Sequence, residues 1–459
     1  MERGVFPVRC GYPCPVLTVL LFIVGVLIMV IGLAVSIALH EVGHLVPAKR
    51  FGVKVGQYMI GFGPTILSRK RGETEYGVKA IPLGGYISMS GMFPPAKKGE
   101  AARTASTGFF QTLVQDARTA SAETIDEGDE ARTFYRLPVY KRIIIMLGGP
   151  VMNLLIAIVL FGVVLCGFGV AQSSTTVGLV NECVLPAGST ETSCPTDATP
   201  APAFAAGMQN GDRIVSIDGT TMSDGDQVSA VLRDSAGTTL DVVVERDGAE
   251  QTLEVTPTLS ERYVVDDSTG QIEENADGSP KTQDVGFVGI GFASETVQQP
   301  VTAVLPAVWN NVTHVVDLII HLPQRLVGVA QAAFGGGERD ANGPVSVVGV
   351  GRMAGEIVSL DSVPIVDRAA YVVNLVGSLN VALFVFNLIP LMPLDGGHVA
   401  GALIEAVRRG FATLFRRPDP GPVDTAKVIP LTFAVVILLG GMSALLIYAD
   451  IVNPIDLFG

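Results

Sequence analysis

Four stretches of this chain stay apolar for about twenty residues, the length a helix needs to cross a bilayer. No other feature restricts the fold as much. Hydrocarbon offers no hydrogen bonds, so the backbone of such a stretch must satisfy itself, and a helix does so. The stretches run from about Leu17 to Leu39, Ile143 to Val170, Ala369 to Leu391 and Val428 to Tyr448. The first exceeds the apolar run of about 7–15 residues in a secretory signal, and no small-residue cleavage site follows it. His40 and Glu41 interrupt its far end instead. Only 16% of the 459 residues are charged. Soluble domains carry about 25%, so a wholly soluble chain is not expected.

Charge orients the stretches, because loops rich in Lys and Arg stay in the cytoplasm. Residues 45–142 hold 15 Lys and Arg against 9 Asp and Glu. The loop between the third and fourth stretches carries Arg408, Arg409, Arg416, Arg417 and Lys427. Residues 171–368 hold 9 basic and 27 acidic residues and read as the outside. Both termini are then extracytoplasmic, although Arg3 and Arg9 argue weakly the other way. The net charge of −13 lacks the basic face of a nucleic-acid binder, so no nucleic-acid partner is expected. Five cysteines without a CxxC pair exclude a disulfide-dense scaffold and give no sign of a structural zinc site. Cys183 and Cys194 lie in a polar stretch and could pair if it faces an oxidising compartment. Cys166 reads as a small apolar residue, and Cys10 and Cys14 receive no role.

The connecting segments have their own texture. From Gly56 to Gly91 polar and apolar residues alternate around a KRGE turn, which predicts a β-hairpin within residues 51–94. Residues 95–132 lack periodicity and are expected to be a flexible cytoplasmic insertion. In the outer loop, AGMQNGDRIVSIDGTTM precedes a helical DQVSAVLRDS and two strand-like runs, TLDVVVERDG and EQTLEVTPTL. This order resembles a PDZ domain over residues 175–258. Residues 262–285 read as a disordered loop. Residues 286–368 are expected to link with amphipathic helices. Within them 299–335, with Trp309, His314 and His321, are too broken to span and suit the interface. The expected fold is a polytopic α-helical membrane protein with about four transmembrane helices, a membrane-associated β-hairpin and an extracytoplasmic PDZ-like domain. The spans fall in residues 1–50, 143–171, 369–399 and 428–449.

Chemistry enters at SIALHEVGHLV. His40 and His44 are four residues apart, so both imidazoles share one helix face and reach one ion. Glu41, beside them, can take a proton from a zinc-activated water. Two histidines at this spacing also arise by chance. Inside an apolar helix, however, ionisable groups are costly and mark function.

A catalytic zinc takes three protein ligands and keeps an open position. The third candidate is Asp395 in VFNLIPLMPLDGGHV, the one acid there. Pro390 and Pro393 break the helix, and such irregular backbone at membrane depth lines a cavity or is buried in protein. Asp395 could instead cap the next helix. His398 is a rival ligand, although it lies beyond the turn. Asn387 could hold a substrate backbone or satisfy its own broken helix.

HEVGH at 40–44, GFGP at 61–64, PLGGY at 82–86, GGPVMN at 148–153, GPVSV at 343–347 and NLIPLMPLDGGH at 387–398 occur in that order. With them the chain resembles the site-2 protease family of intramembrane zinc metalloproteases, in its RseP-like, single-PDZ actinobacterial form. The resemblance implies one Zn2+ held by His40, His44 and Asp395, with Glu41 as catalytic base. It implies that Asn387 holds the substrate strand. The hairpin ending in Gly84, Gly85 and Tyr86 would receive that strand by addition to its edge. Gly148, Gly149, Pro150 and Asn153 match a segment close to the catalytic helices. The implied substrates are single-pass membrane proteins, such as anti-sigma factors and signal-peptide remnants, trimmed first by a site-1-type protease. The lipid bilayer is the remaining partner. The chain departs from the family pattern at Met392, where Pro is usual, and in holding one PDZ-like region. A rival class is a non-catalytic PDZ-containing membrane scaffold with a structural metal site. A transporter with broken helices would show internal repeats, and none is visible.

Overall fold

The computed structural model describes residues 15–94, 109–185, 189, 194–195, 198–265, 272–273, 275, 279–336, 339–340, 343–423 and 425–455. Cys10, Cys14, Arg3, Arg9 and residues 95–108 of the insertion lie outside them. The chain divides into two compact units, Met1–Leu165 with Pro300–Gly459, and Cys166–Gln299. The first begins with α1 (Pro15–Arg50), β1 (Val55–Arg71), β2 (Thr74–Met89), α2 (Phe109–Glu123) and α3 (Val139–Gly162). The second holds β3 (Val170–Val180), α4 (Pro202–Ala205), β4 (Arg213–Ile217), β5 (Thr220–Thr221), α5 (Gly225–Asp234), β6 (Leu240–Arg246), β7 (Ala249–Val255), β8 (Thr258–Tyr263), β9 (Thr282–Phe287) and β10 (Ile290–Val297). The first unit then resumes with α6 (Val304–Ile320), α7 (Leu322–Gly335), α8 (Val347–Ser359), α9 (Ile365–Asn387), α10 (Asp395–Leu414) and α11 (Ile429–Val452).

Among the described residues, five helices are long and apolar enough to cross a membrane: Val16–Arg50, Val139–Phe168, Val301–Ile320, Ile365–Asn387 and Ile429–Val452. Four carry the stretches read from the sequence. The fifth contains α6, from the segment expected to be too broken to span. The break lies later, at His321, because Pro323 at the start of α7 has no N–H with which to continue α6. Along α1 the side chains of Val16, Leu20, Val24, Leu27, Ile31 and Val35 are exposed. A continuous apolar face of this size is a lipid-facing surface.

β1 and β2 form the hairpin around its Gly72-Glu73 turn. The ladder is not simple. Gln57–Ile60 pair with Gly85–Ser88 and also with Glu75–Val78, while Thr65–Arg71 pair with Thr74–Lys79. Both long strands bend, so Gly85–Met89 becomes an outer strand. Tyr58 Oη donates to the Ala38 carbonyl at 2.8 Å, and Lys49 Nζ to Tyr76 Oη at 2.8 Å. These bonds dock the hairpin on the second half of α1.

Residues 109–132 differ from the flexible insertion expected. They form α2 and a short turn, fastened by polar contacts that hydrophobic periodicity cannot reveal. Ser90 Oγ donates to the Thr124 carbonyl at 2.7 Å, and Lys54 Nζ meets Asp126 and Asp129 at 2.5 Å each. The Arg132 guanidinium grips Glu73 with two bonds of 2.8 and 2.9 Å, which hold the Glu73 carboxyl below its usual pKa range.

The second unit is a sheet in the order β10-β3-β4-β6-β7, with β5 beside β4. α5 starts at Asp224, whose side chain accepts from Gln227 N. It buries Val228 and Leu232 against Ile214, Ile217, Val242 and Val244. The unit reaches beyond residues 175–258 because β3 and β10 pair along their length, ending with Val170 opposite Val297. The loop expected over 262–285 is framed by the β8–β9 pair, and residues 266–271, 274 and 276–278 lie outside the described set. Cys183 and Cys194 are disulfide-bonded.

Candidate metal centre

α1 and α3 cross where both lack a side chain. A Cβ on Gly43 would lie 2.6 Å from the carbonyl carbon of Gly148, and one on Gly148 would lie 2.7 Å from that of Gly43. Such residues let helix backbones approach closely within a membrane. The crossing presses one face of α3 against the HEVGH turn. His44 Nδ1 lies 2.7 Å from the Ile145 carbonyl oxygen. His40 Nδ1 lies 3.1 Å from the amide of Asn153. Gly149, between these partners, leaves room for both rings. Ile145, Gly149 and Asn153 recur every four residues and share a helix face.

Held from behind, the two rings turn their Nε2 atoms together, 3.2 Å apart. Asp395 Oδ2 lies 3.3 Å from each. Zinc bonds of about 2.0–2.1 Å at tetrahedral angles set ligand atoms about 3.3–3.4 Å apart. Asp395 Oδ2 is buried and accepts no hydrogen bond among the described residues, so a carboxylate and two imidazoles converge on one point. A cation there resolves their repulsion, and this donor set fits zinc.

Asp395 arrives by a different route. α9 ends at Asn387, and the chain folds back through Leu388–Leu394 into α10. A Cβ on Gly396 would lie 2.5 Å from the Leu388 carbonyl carbon, and one on Gly397 would lie 2.6 Å from Met392 N. The double glycine thus lets the loop lie against the start of its own helix. Asp395 makes no capping bond there, since the N-cap is Leu394.

Glu41 is buried beside the outer strand of the hairpin. A Cβ on Gly85 would stand 3.1 Å from Glu41 Cγ, so a side chain there would have to push Glu41 aside by a few tenths of an ångström. Gly84 has φ +97° and faces the Phe62 ring. Tyr86 belongs to the hairpin's own packing: its ring stacks on Phe62 and its hydroxyl donates to Gln57 Oε1 at 3.1 Å. Asn387 Nδ2 donates to the Leu383 carbonyl at 2.9 Å, the local alternative left open by the sequence. His398 turns to Phe134 and stands outside the His40, His44 and Asp395 group.

Two buried polar links escaped the sequence reading. Arg142 Nη2 meets Glu405 Oε1 at 2.6 Å, both side chains buried. The pair ties α3 to α10 and so holds Asp395 against the histidines. Asn380 Nδ2 donates to Ser36 Oγ at 2.9 Å, joining α9 to α1 one turn before His40. An Asn within an apolar stretch and a Glu in the helix after LDGG were the available signals.

The profile of peptidase family M50 matches residues 28–415. The zinc metalloprotease Rip1 of Mycobacterium tuberculosis is 32% identical over 448 residues, covering 96% of this chain and 100% of that protein. Rip1 of Mycolicibacterium smegmatis is 32% identical over 465 residues, with the same coverage. The metalloprotease MmpA of Caulobacter vibrioides is 28% identical over 405 residues, covering 84% of this chain and 88% of that protein.

Proposed function

The chain belongs to peptidase family M50, and from that premise we propose that His40, His44 and Asp395 hold its zinc and that Glu41 is its base. The protein is a multi-pass membrane protein and an intramembrane zinc metalloprotease of the site-2 type. The observation that carries the residue assignment is the convergence of Asp395 Oδ2 with the two Nε2 atoms at 3.2–3.3 Å, one residue from a buried Glu.

Zinc bound there would supply Lewis acidity toward the scissile carbonyl and toward water. The chain's residues do the rest. Glu41 takes the proton of the attacking water and returns it to the leaving amine. The outer strand Gly85–Met89 receives an extended substrate, whose backbone would otherwise stay hidden in its own helix. Asn387 joins in holding that strand by exchanging its bond to Leu383.

The geometry also supports a count of four crossings. His40 and His44 lie toward the end of α1, Ile145 toward the start of α3, and Asp395 just beyond the end of α9. Their meeting requires α3 to finish and α9 to begin on the same side of the bilayer. An even number of crossings must separate them. α7 and α8, of 14 and 13 residues, fall short of the roughly 20 needed, so α6 lies against α3 and α9 without crossing alone. The excess of Lys and Arg in the inner loops favours a metal centre near the cytoplasm, with both termini and residues 166–299 outside. We read that outer unit as PDZ-like and as a filter that excludes untrimmed ectodomains. The substrate class is then single-pass proteins already shortened by a first protease, anti-sigma factors and signal-peptide remnants among them.

Cleavage of a co-expressed, pre-trimmed single-pass substrate tests the assignment, with zinc measured on purified wild type and Glu41→Gln. Loss of the base should slow cleavage by about 10²–10⁴-fold while zinc stays bound. Equal cleavage by the two proteins would remove Glu41 from the chemistry.

A further inference from the structure

We infer that Asn153 is a positioning residue that fixes the tautomer of His40, accepting the Nδ1 proton so that Nε2 is the nitrogen presented to the metal. The two histidines are held differently. His44 Nδ1 faces a main-chain carbonyl, that of Ile145, which no substitution removes. His40 Nδ1 faces a side chain, fully buried at 0% exposure. An imidazole that binds a metal through Nε2 carries its proton on Nδ1, and its orientation is set by the acceptor placed there. Asn153 Nδ2 stands 3.1 Å from His40 Nδ1, while Oδ1 of the same amide is buried and has no hydrogen-bond partner among the described residues. With Nδ1 protonated, two donors would oppose each other. Amide orientation is assigned from its hydrogen bonds, and the reversed amide brings the idle oxygen to the imidazole N–H.

The alternative role for Asn153 is to fill space between α3 and α1, and the two roles predict opposite results. Leucine keeps the volume and loses the acceptor. Aspartate keeps the acceptor and adds a buried charge that mere packing would not tolerate. The readout is zinc retention by the purified full-length protein in detergent, titrated with a competing chelator, with thermal unfolding recorded on each variant. Removing such an outer partner typically weakens metal binding about 10–100-fold. Asn153→Leu should lose zinc by that factor and remain folded, and Asn153→Asp should hold zinc at least as tightly as wild type. Wild-type retention by Asn153→Leu overturns the inference, as does a loss in Asn153→Asp as large as that in Asn153→Leu. If the leucine variant does not fold, Asn153→Asp decides alone: tight zinc supports the acceptor role and a tenfold loss refutes it. The inference rests on His40 being a ligand. A wild-type protein without zinc would overturn that assignment first, whereas zinc indifferent to residue 153 overturns this inference alone.

Discussion

Gly149→Ala adds one methyl group, and the structure says where it goes. The new Cβ would lie 2.7 Å from His40 Nε2 and Cε1, and closer still to His44 Nε2. Ordinary contact for such atoms begins near 3.4 Å, so reaching it moves the His40 ring by about 0.7 Å, the difference between those two distances. Neither ring is free to turn away. His44 is tied at Nδ1 to Ile145 and His40 to Asn153. The strain falls on the helix crossing, where overpacking costs about 1–3 kcal/mol, or on the metal centre. Metal sites tolerate errors of only about 0.2 Å in their bonds, so a shift of this size removes a ligand. The expected result is a folded protein that loses zinc to a chelator at concentrations wild type withstands, with substrate cleavage lost in parallel. Gly162→Ala is the control on the same helix, because nothing lies within 4 Å of a Cβ there. Gly149→Ala holding zinc as wild type does, with full cleavage, would refute the close-crossing account of the site.

The other predictions concern what surrounds the site. Breaking the buried Arg142–Glu405 pair by Glu405→Gln should destabilise the protein by about 3–5 kcal/mol, because an unpaired buried charge remains. Replacing both partners with apolar residues, Arg142→Met together with Glu405→Leu, should recover most of that loss in thermal unfolding, and a double variant no better than the single one would contradict this. In the outer unit the Arg246 guanidinium bonds Asp212 at 2.6 and 2.7 Å and lowers its carboxyl pKa. A depressed folded-state pKa contributes stability that is present above the unfolded value of about 3.9 and lost as pH falls toward the folded one. Amide exchange in β4 and β6, corrected for intrinsic rate, should therefore accelerate below about pH 4 in wild type, and Asp212→Asn should already show the faster exchange at neutral pH. Because Val170 and Val297 are ladder partners, excising residues 171–296 leaves two neighbouring ends. That protein should cut an untrimmed substrate that wild type leaves intact, and continued resistance of the substrate would end the filter reading.

The sequence by itself determined what local pattern can encode. Uninterrupted apolar length marked α1, α3, α9 and α11, since a membrane leaves the backbone no other partner. The spacing of His40 and His44 placed two imidazoles on one face, and alternation around KRGE announced the hairpin. The charge count gave an orientation to test. Only tertiary structure decided which distant atoms meet. That Asp395 is a converging carboxylate and makes no capping bond depends on a fold-back across most of the chain. Its 3.3 Å approach to His44 is written in no local pattern. Asn153 looked like a packing residue until α3 crossed α1 at Gly43 and Gly148. Arg142 counted in the sequence only as one of the basic residues within 45–142, and α10 brings Glu405 to it. Asn387 and Tyr86, chosen by motif, bond to their own helix and hairpin. The ordered turn over 109–132 depends on Lys54, Glu73 and Ser90, which lie far back in the chain. Periodicity records which face of an element is apolar, whereas polar pairing between elements depends on their crossing, and no local pattern stores that.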